Sequence, residues 1–188
     1  SASVGSAPTP SHRAPLLQLN GSLVLLLILA LSTLLDLYFF TGYFASDDRS
    51  YFMVARNYLE SGKFEDGSFG AARLMLIGWV MLVIRCFGPN IQLVAASFIA
   101  FHQLLNALTY LMVREQADRR AALLAAYLAA TFPLLVVYAS MILPDVEQAC
   151  AGAAAVLCYV IWRKRRESRP VAAWLAFFAS GLCVGLAY

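Results

Sequence analysis

Long apolar runs almost free of charged residues constrain the fold of this chain more than any other feature. Residues 22–44, 91–113 and 121–143 are each long enough, at about 1.5 Å of helical rise per residue, to cross a hydrocarbon core of ~30 Å. The runs at 145–162 and 171–188 are shorter, but they reach across when their polar ends are included. The sequence therefore predicts an all-α fold, a polytopic membrane helical bundle of about five spans.

The composition favours the same class of protein. Of the 188 residues, 61% are hydrophobic and 13% are charged, whereas soluble domains average about 45–50% and about 25%. Together with a mean hydropathy of +0.70, these values exclude a disordered chain and an ordinary soluble enzyme. The net charge of +3 is small and the cations are scattered, so we expect no nucleic-acid partner.

The two ends of the chain differ in character. Residues 1–21 begin with a stretch rich in Ser, Ala and Pro, which predicts a disordered tail. Tyr188 lies inside an apolar run, so we expect the protein to continue into further spans. A cleaved signal peptide is another interpretation of the first run, although the apolar part of such a peptide has only about 7–15 residues.

The segment 74–87 leaves two topologies open. If it spans the membrane, almost all Lys and Arg residues fall on one side, with the N-terminus outside, as the distribution of basic residues in membrane proteins favours. If it lies at the interface, the basic connectors 114–120 and 163–170 stay in the cytoplasm. At about 21 Å as a helix, the segment has the length of an interfacial or re-entrant element.

The only long polar segment follows the first apolar run, and its first half predicts a short amphipathic helix. Ser46 or Asp47 can cap this helix, and Gly62 can end it. We expect the helix to lie on the bilayer with its aromatic face buried in lipid. That face is predicted to carry Tyr51, Phe52, Ala55, Tyr58 and Leu59, and the opposite face Arg49, Met53, Arg56 and Glu60.

Two pairs of acidic residues stand at predicted helix starts. Asp47 and Asp48 are placed where the helix dipole and free N–H groups stabilise a carboxylate, and Asp145 and Glu147 follow Pro144. Each pair is explained by helix capping alone, because acids are common in the first turn. The functional interpretation is a carboxylate held ionised just outside the membrane, ready to take a proton or hold a cation.

Asp36 is the one carboxylate deep inside a predicted span. A lone carboxylate there costs roughly 2.5–3.5 kcal/mol, so it needs a partner or a water-filled cavity. His102, Gln103 and Asn106 in the second span are the predicted partners. They would form either a polar contact between helices or a path for protons.

In order along the chain, these motifs resemble the N-terminal part of the GT-C superfamily of polyprenyl- or dolichyl-phosphate-sugar-dependent glycosyltransferases, which includes protein mannosyltransferases and aminoarabinose transferases. The resemblance covers residues 22–188 and rests on the ordered series rather than on any one motif. It departs from the family at 70–73, where many members carry proline. The motifs are Asp47-Asp48-Arg49-Ser50-Tyr51, Arg85-Cys86-Phe87-Gly88, Asp118-Arg119-Arg120, Phe132-Pro133, Leu143-Pro144-Asp145 and Gly181-Leu182-Cys183-Val184-Gly185-Leu186-Ala187-Tyr188.

The resemblance implies a topology with a cytoplasmic N-terminus in the cytoplasmic membrane and the active site on its outer face. The implied order is a cytoplasmic tail (1–21), span one (22–44), an external loop with two amphipathic helices (45–90), span two (91–113), a cytoplasmic turn (114–120), span three (121–143), span four (145–162), a basic cytoplasmic connector (163–170) and span five (171–188).

The resemblance also implies an inverting glycosyltransferase with specific residue roles. Asp47 matches the general base, Asp48 its acidic neighbour, and Asp145 an acid that completes the site. The donor is a sugar linked to polyprenyl phosphate, and the acceptor is a glycan, a lipid or a protein. The expected donor-phosphate residues are Arg49, Arg56 and Arg73, Tyr51 is expected to line the substrate, and a divalent cation (Mg²⁺ or Mn²⁺) would be held by Asp48 and Asp145.

A second hypothesis needs no catalysis. In a transporter or an assembly subunit, Asp36, His102 and Asn106 would line a polar path and the Asp47 pair would only cap a helix.

Overall fold

The computed structural model describes residues 21–42, 47–64 and 73–187, and in these ranges the regular structure is helical. This confirms the predicted all-α class. In chain order the helices are α1 (Gly21–Tyr38), α2 (Asp47–Ser61), α3 (Leu74–Phe87), α4 (Ile91–Ser97), α5 (Ile99–Gln116), α6 (Arg119–Ala130), α7 (Pro133–Tyr138), α8 (Pro144–Arg165) and α9 (Pro170–Ala187).

Among the described residues, 3 helical segments are long and apolar enough to cross a membrane: Gly21–Tyr38, Ile91–Gln116 and Pro144–Arg165. The third of these begins one residue before the predicted span and extends into the basic connector. The apolar helix Leu74–Phe87 is shorter, and so is the apolar stretch Pro170–Gly185 within α9. The predicted first span, 22–44, ends earlier as a helix, at Tyr38.

Side-chain contacts show which helix ends lie together. Lys164 Nζ lies 3.4 Å from Glu115 Oε2, so the end of α8 meets the end of α5. The Arg119 side chain passes so close to Gly21 that a Cβ there would overlap it, which places the start of α6 beside the start of α1. Both basic connectors and the first turn of α1 therefore share one end of the bundle.

The predicted third span, 121–143, is not one helix. α6 ends at Ala130, and α7 begins at Pro133. Proline has no N–H to donate and disfavours helical backbone in the residue before it, and Phe132 accordingly adopts an extended conformation, with φ −68° and ψ 116°. The small residues of α6 do face the bundle, because Ala122, Ala126 and Ala130 are fully buried.

α2 has the predicted bounds and faces but a different environment. Gly62 ends it with a positive φ of 70°, and Arg49, Met53, Arg56 and Glu60 are all exposed. The expectation that its aromatic face lies in lipid is wrong: Tyr51, Phe52 and Ala55 are buried in a core shared with α3, α5 and α8. Packing against neighbouring helices satisfies the same apolar face that lipid would have covered.

α3 spans Leu74–Phe87, the segment whose topology the sequence left open. Its buried face, which includes Leu76, Ile77 and Val80, packs into the same core as Tyr51 of α2 and Val94 of α4. Trp79 Nε1 donates a hydrogen bond of 2.9 Å to Ser97 Oγ. α3 is thus held by other helices rather than by the membrane alone.

Candidate functional site

The first turn of α2 presents two carboxylates in different environments. Asp47 is exposed at the first helical residue, whereas Asp48 is only 2% exposed and faces the protein. Both lie where the free N–H groups and dipole of the helix stabilise negative charge. The exposed carboxylate is therefore accessible to solvent, and the buried one belongs to the packed interior of the site.

Arg73 connects α2 to α3. It precedes the first residue of α3, and its side chain makes no capping hydrogen bond to that helix. Instead the guanidinium donates a hydrogen bond to the Tyr51 hydroxyl, and its central carbon lies 5.3 Å from the centroid of the Tyr51 ring. Because Tyr51 is only 1% exposed, it serves as a fixed support for the cation rather than as an open surface.

The carboxylates of Asp47 and Asp145 both act electrostatically on the Tyr51 hydroxyl. Burial raises the pKa of the Tyr51 hydroxyl above its ordinary value, the nearby Arg73 lowers it, and the carboxylates of Asp47 and Asp145 both raise it. The tyrosine therefore stays protonated at neutral pH and can accept the hydrogen bond from Arg73. The structure thus gathers Asp47, Arg73 and Asp145, which are far apart in sequence, around one buried phenol.

A hydrogen-bonded contact between two connections explains how the acids come together. Thr41 lies between α1 and α2, and Ser140 lies between α7 and α8. The Thr41 amide donates to Ser140 Oγ at 3.2 Å, and the two hydroxyls lie 3.0 Å apart. This contact ties the segment leading to Asp47 to the segment leading to Asp145, at the opposite end of α1 and α8 from the basic connectors.

Glu147 is the residue of this region whose position the sequence did not reveal. It is 2% exposed, its Oε2 has no hydrogen-bond partner among the residues that the structure describes, and Arg73 acts on it electrostatically. Residues two apart on a helix are about 200° apart around its axis, so an exposed Asp145 places Glu147 toward the bundle. The two-residue spacing of Asp145 and Glu147 was the signal in the sequence that one of them faces the bundle, but helix capping explained both acids.

The three arginines predicted to bind the donor phosphate lie on different faces. Arg49 and Arg56 are on the exposed face of α2, and Arg56 Nε is 2.7 Å from Glu60 Oε1. Arg73 is the one that the structure brings to Tyr51 and the acids. Because Arg73 is partly buried, its charge acts with less screening than that of a fully exposed arginine.

The predicted divalent cation is a separate question. In the described ranges, no group of three or more His, Cys, Asp or Glu side chains could hold a metal ion. Two acids, Asp48 and Asp145, do not by themselves make the oxygen cage that Mg²⁺ or Mn²⁺ prefers. The cation stays a prediction, and no chemical step is derived through it.

A second polar cluster lies between α1, α5 and α6. His102 Nδ1 is 2.9 Å and 3.0 Å from the two carboxylate oxygens of Asp36, and Gln103 Nε2 donates to Asp36 Oδ2 at 2.9 Å. His102 and Gln103 are therefore partners of Asp36, as predicted. Asn106 is not, because its amide donates to Ser32 Oγ at 2.9 Å.

This cluster is closed. Asp36, His102 and Asn106 are each 0% exposed, and His102 Nε2 lies 3.4 Å from the Ala129 carbonyl oxygen. Side chains that bond to one another and contact no solvent form an interhelical contact rather than a water-filled route. Within the described ranges, Asp36, His102 and Asn106 therefore join helices and do not line an open path.

Comparison with known proteins agrees with a transferase. The model of one protein family, described as dolichyl-phosphate-mannose-protein mannosyltransferase, matches residues 86–188, more than half of the chain. No curated protein and no solved structure matches the chain. The matched region contains Asp145 and Glu147, whereas Asp47, Tyr51 and Arg73 precede it.

Proposed function

Because the chain belongs to the dolichyl-phosphate-mannose-protein mannosyltransferase family, whose members are membrane glycosyltransferases that use polyprenyl-phosphate sugars, we propose that Asp47 is the general base of an inverting sugar transfer to an acceptor hydroxyl. The gathering of Asp47, Arg73 and Asp145 around Tyr51 is the observation that supports this assignment most directly. A transferase needs a base for the acceptor and a cation for the departing phosphate, and this group contains both.

The proposed reaction is a single displacement. The acceptor oxygen forms a bond to the anomeric carbon while the bond from that carbon to the phosphate oxygen breaks. Asp47 takes the proton that the acceptor hydroxyl loses, and polyprenyl phosphate leaves with the electron pair of the broken bond. An exposed carboxylate at a helix start suits this role, because the helix dipole favours negative charge there and the carboxylate reaches solvent without rearrangement.

Arg73 is the proposed cation for the leaving phosphate. Guanidinium groups bind phosphate oxygens in a two-pronged geometry, and a preorganised cation stabilises the charge that develops as the sugar departs. The hydrogen bond to Tyr51 holds Arg73 in place before substrate binds. Asp48 and Asp145 would supply the remaining negative charge that orients Arg73 and the acceptor.

The proposed compartment follows from the two ends of the bundle. The connectors 114–120 and 163–170 carry most of the basic residues at one end, and such connectors remain in the cytoplasm. The acids lie at the other end, so the site would face outward, with the N-terminus cytoplasmic. A lipid-linked donor keeps its tail in the bilayer, and its phosphosugar then sits at the interface beside Asp47.

The test is Asp47→Asn in the complete protein, assayed in membranes for transfer of labelled sugar from dolichyl-phosphate-mannose. We expect transfer to fall by at least about 10²-fold, the lower end of what a positioned general base contributes, with membrane insertion unchanged. Glu60→Gln is the matched control, because Glu60 lies on the exposed face of the same helix. Full activity in the Asp47 variant would remove Asp47 as the base.

A further inference from the structure

A cavity of about 370 Å³ lies between α2 and α3, away from the group around Tyr51. It is lined by Tyr58, Leu59, Gly78, Met81, Leu82 and Arg85. The side chains of Leu59, Met81 and Leu82 give about half of the lining surface an apolar character, and among the described lining residues Arg85 is the one cation. Along α3, Arg85 is about 18 Å from Arg73, so this cavity is separate from the proposed donor-phosphate position.

Gly78 keeps this cavity open without a structural reason. It lies in the middle of α3, its φ is not positive, and a Cβ built on it would meet nothing within 4 Å. Glycine inside a helix is less stable than alanine. Neither backbone conformation nor close packing in the described structure requires glycine here, and a larger side chain at this position would extend into the cavity.

Among the described residues, Arg85 pairs with no other side chain. It follows Gly78 by about two helical turns, which puts both on one face of α3. Its side chain is exposed, and in the described ranges it makes no hydrogen bond or ion pair. Arg56 on the neighbouring helix differs, because Glu60 pairs with it at 2.7 Å. The positive charge of Arg85 is therefore available to a ligand.

We propose that this cavity binds an anionic phospholipid, with the phosphate diester at Arg85 and the first methylenes of an acyl chain along Leu59, Met81 and Leu82. Inorganic phosphate would gain nothing from the apolar side chains, and a zwitterionic lipid would gain less from the positive charge of Arg85. The volume matches the smaller ligand pockets of proteins, which suits the upper part of a lipid rather than a whole molecule. This site is independent of the sugar transfer proposed above.

The experiment measures lipid binding to the purified complete protein in neutral detergent by native mass spectrometry, with phosphatidylglycerol and phosphatidylcholine as probes. We expect phosphatidylglycerol to be preferred. Arg85→Gln should weaken phosphatidylglycerol binding about tenfold and remove the preference, since one charge-assisted contact is lost. Gly78→Leu should fill the cavity and weaken binding of both lipids.

Two controls match these variants. Arg169→Gln removes an exposed arginine at the opposite end of the bundle. Gly181→Leu adds a side chain to a glycine of α9, where a Cβ would also meet nothing within 4 Å. Both should bind phosphatidylglycerol normally. Unchanged phosphatidylglycerol binding in the Arg85 and Gly78 variants would overturn the proposal, as would displacement of the lipid by millimolar inorganic phosphate. If Gly78→Leu does not fold, Gly78→Met tests the same space with a flexible side chain.

Discussion

Asp36 and Asp47 are both carboxylates beside a cationic or titratable partner, but they lie in opposite environments. Asp36 is fully buried, and both of its oxygens face donors on α5. Asp47 is exposed at the start of α2, where its carboxylate reaches solvent. A buried carboxylate whose oxygens are held by donors of a neighbouring helix ties the helices together, whereas an exposed carboxylate can receive a substrate.

The largest effect on folding should come from Asp36→Leu. It leaves His102 buried without its carboxylate, and removing one partner of a buried pair typically lowers the free energy of unfolding by about 3–5 kcal/mol. Denaturation of the purified protein in bicelles measures the loss. The double variant Asp36→Leu, His102→Leu should recover part of it, because no uncompensated polar group then remains. A single variant as stable as the parent would contradict the structural role.

The largest effect of an arginine on catalysis should come from Arg73→Gln. Loss of one preorganised cation should lower kcat/KM by about 10²–10³-fold. Arg56→Gln is the matched variant, because Arg56 lies on the exposed face of α2 and pairs with Glu60. Its rate should change by less than about threefold, since an exposed ion pair is worth at most about 1 kcal/mol. Equal losses in both variants would show that contact with Tyr51 gives Arg73 no role that the exposed Arg56 lacks.

A smaller effect is expected from Tyr51→Phe, which removes the acceptor for Arg73 but keeps the ring. We expect about a tenfold increase in KM for the donor, corresponding to one lost hydrogen bond to a charged group. An effect on kcat alone would mean that Tyr51 does not hold Arg73 for binding.

The difference in stability between the parent and Tyr51→Phe should also depend on pH. Burial first, and then the two aspartates, raise the pKa of Tyr51 above 10.0, with Arg73 opposing them. The contribution of the phenol to stability is therefore fully present below pH 10 and is lost as the pH rises through the raised value. Thermal unfolding should show the advantage of the parent over Tyr51→Phe at pH 8 shrinking by pH 11. A constant difference would contradict a raised pKa.

Local features of the sequence predicted several elements well. Gly62 ends α2 because only a residue tolerant of positive φ fits there, and α3 occupies the predicted 74–87 segment before Gly88, whose φ is 83°. The break at Phe132-Pro133 was also visible as a proline, but a long apolar run predicted one continuous span. The proline therefore determined where the helix is interrupted, although the apolar run is long enough for one span.

The side-chain environments were less predictable. Sequence periodicity identified the apolar face of α2 but could not distinguish lipid from protein as the material covering it. It named three arginines without separating Arg73 from the two on the exposed face. It also treated Glu147 as part of a helix start, because burial depends on which helix packs beside it.

By itself, the sequence determined that this chain forms apolar helices with acids at two of their starts, because hydrophobic length and capping act over a few residues. Only the tertiary structure decided that Asp47, Arg73 and Asp145 gather around Tyr51, and that Asp36 does not join them. Electrostatic interactions depend on distance and burial, and both are set by the packing of helices that are remote in sequence.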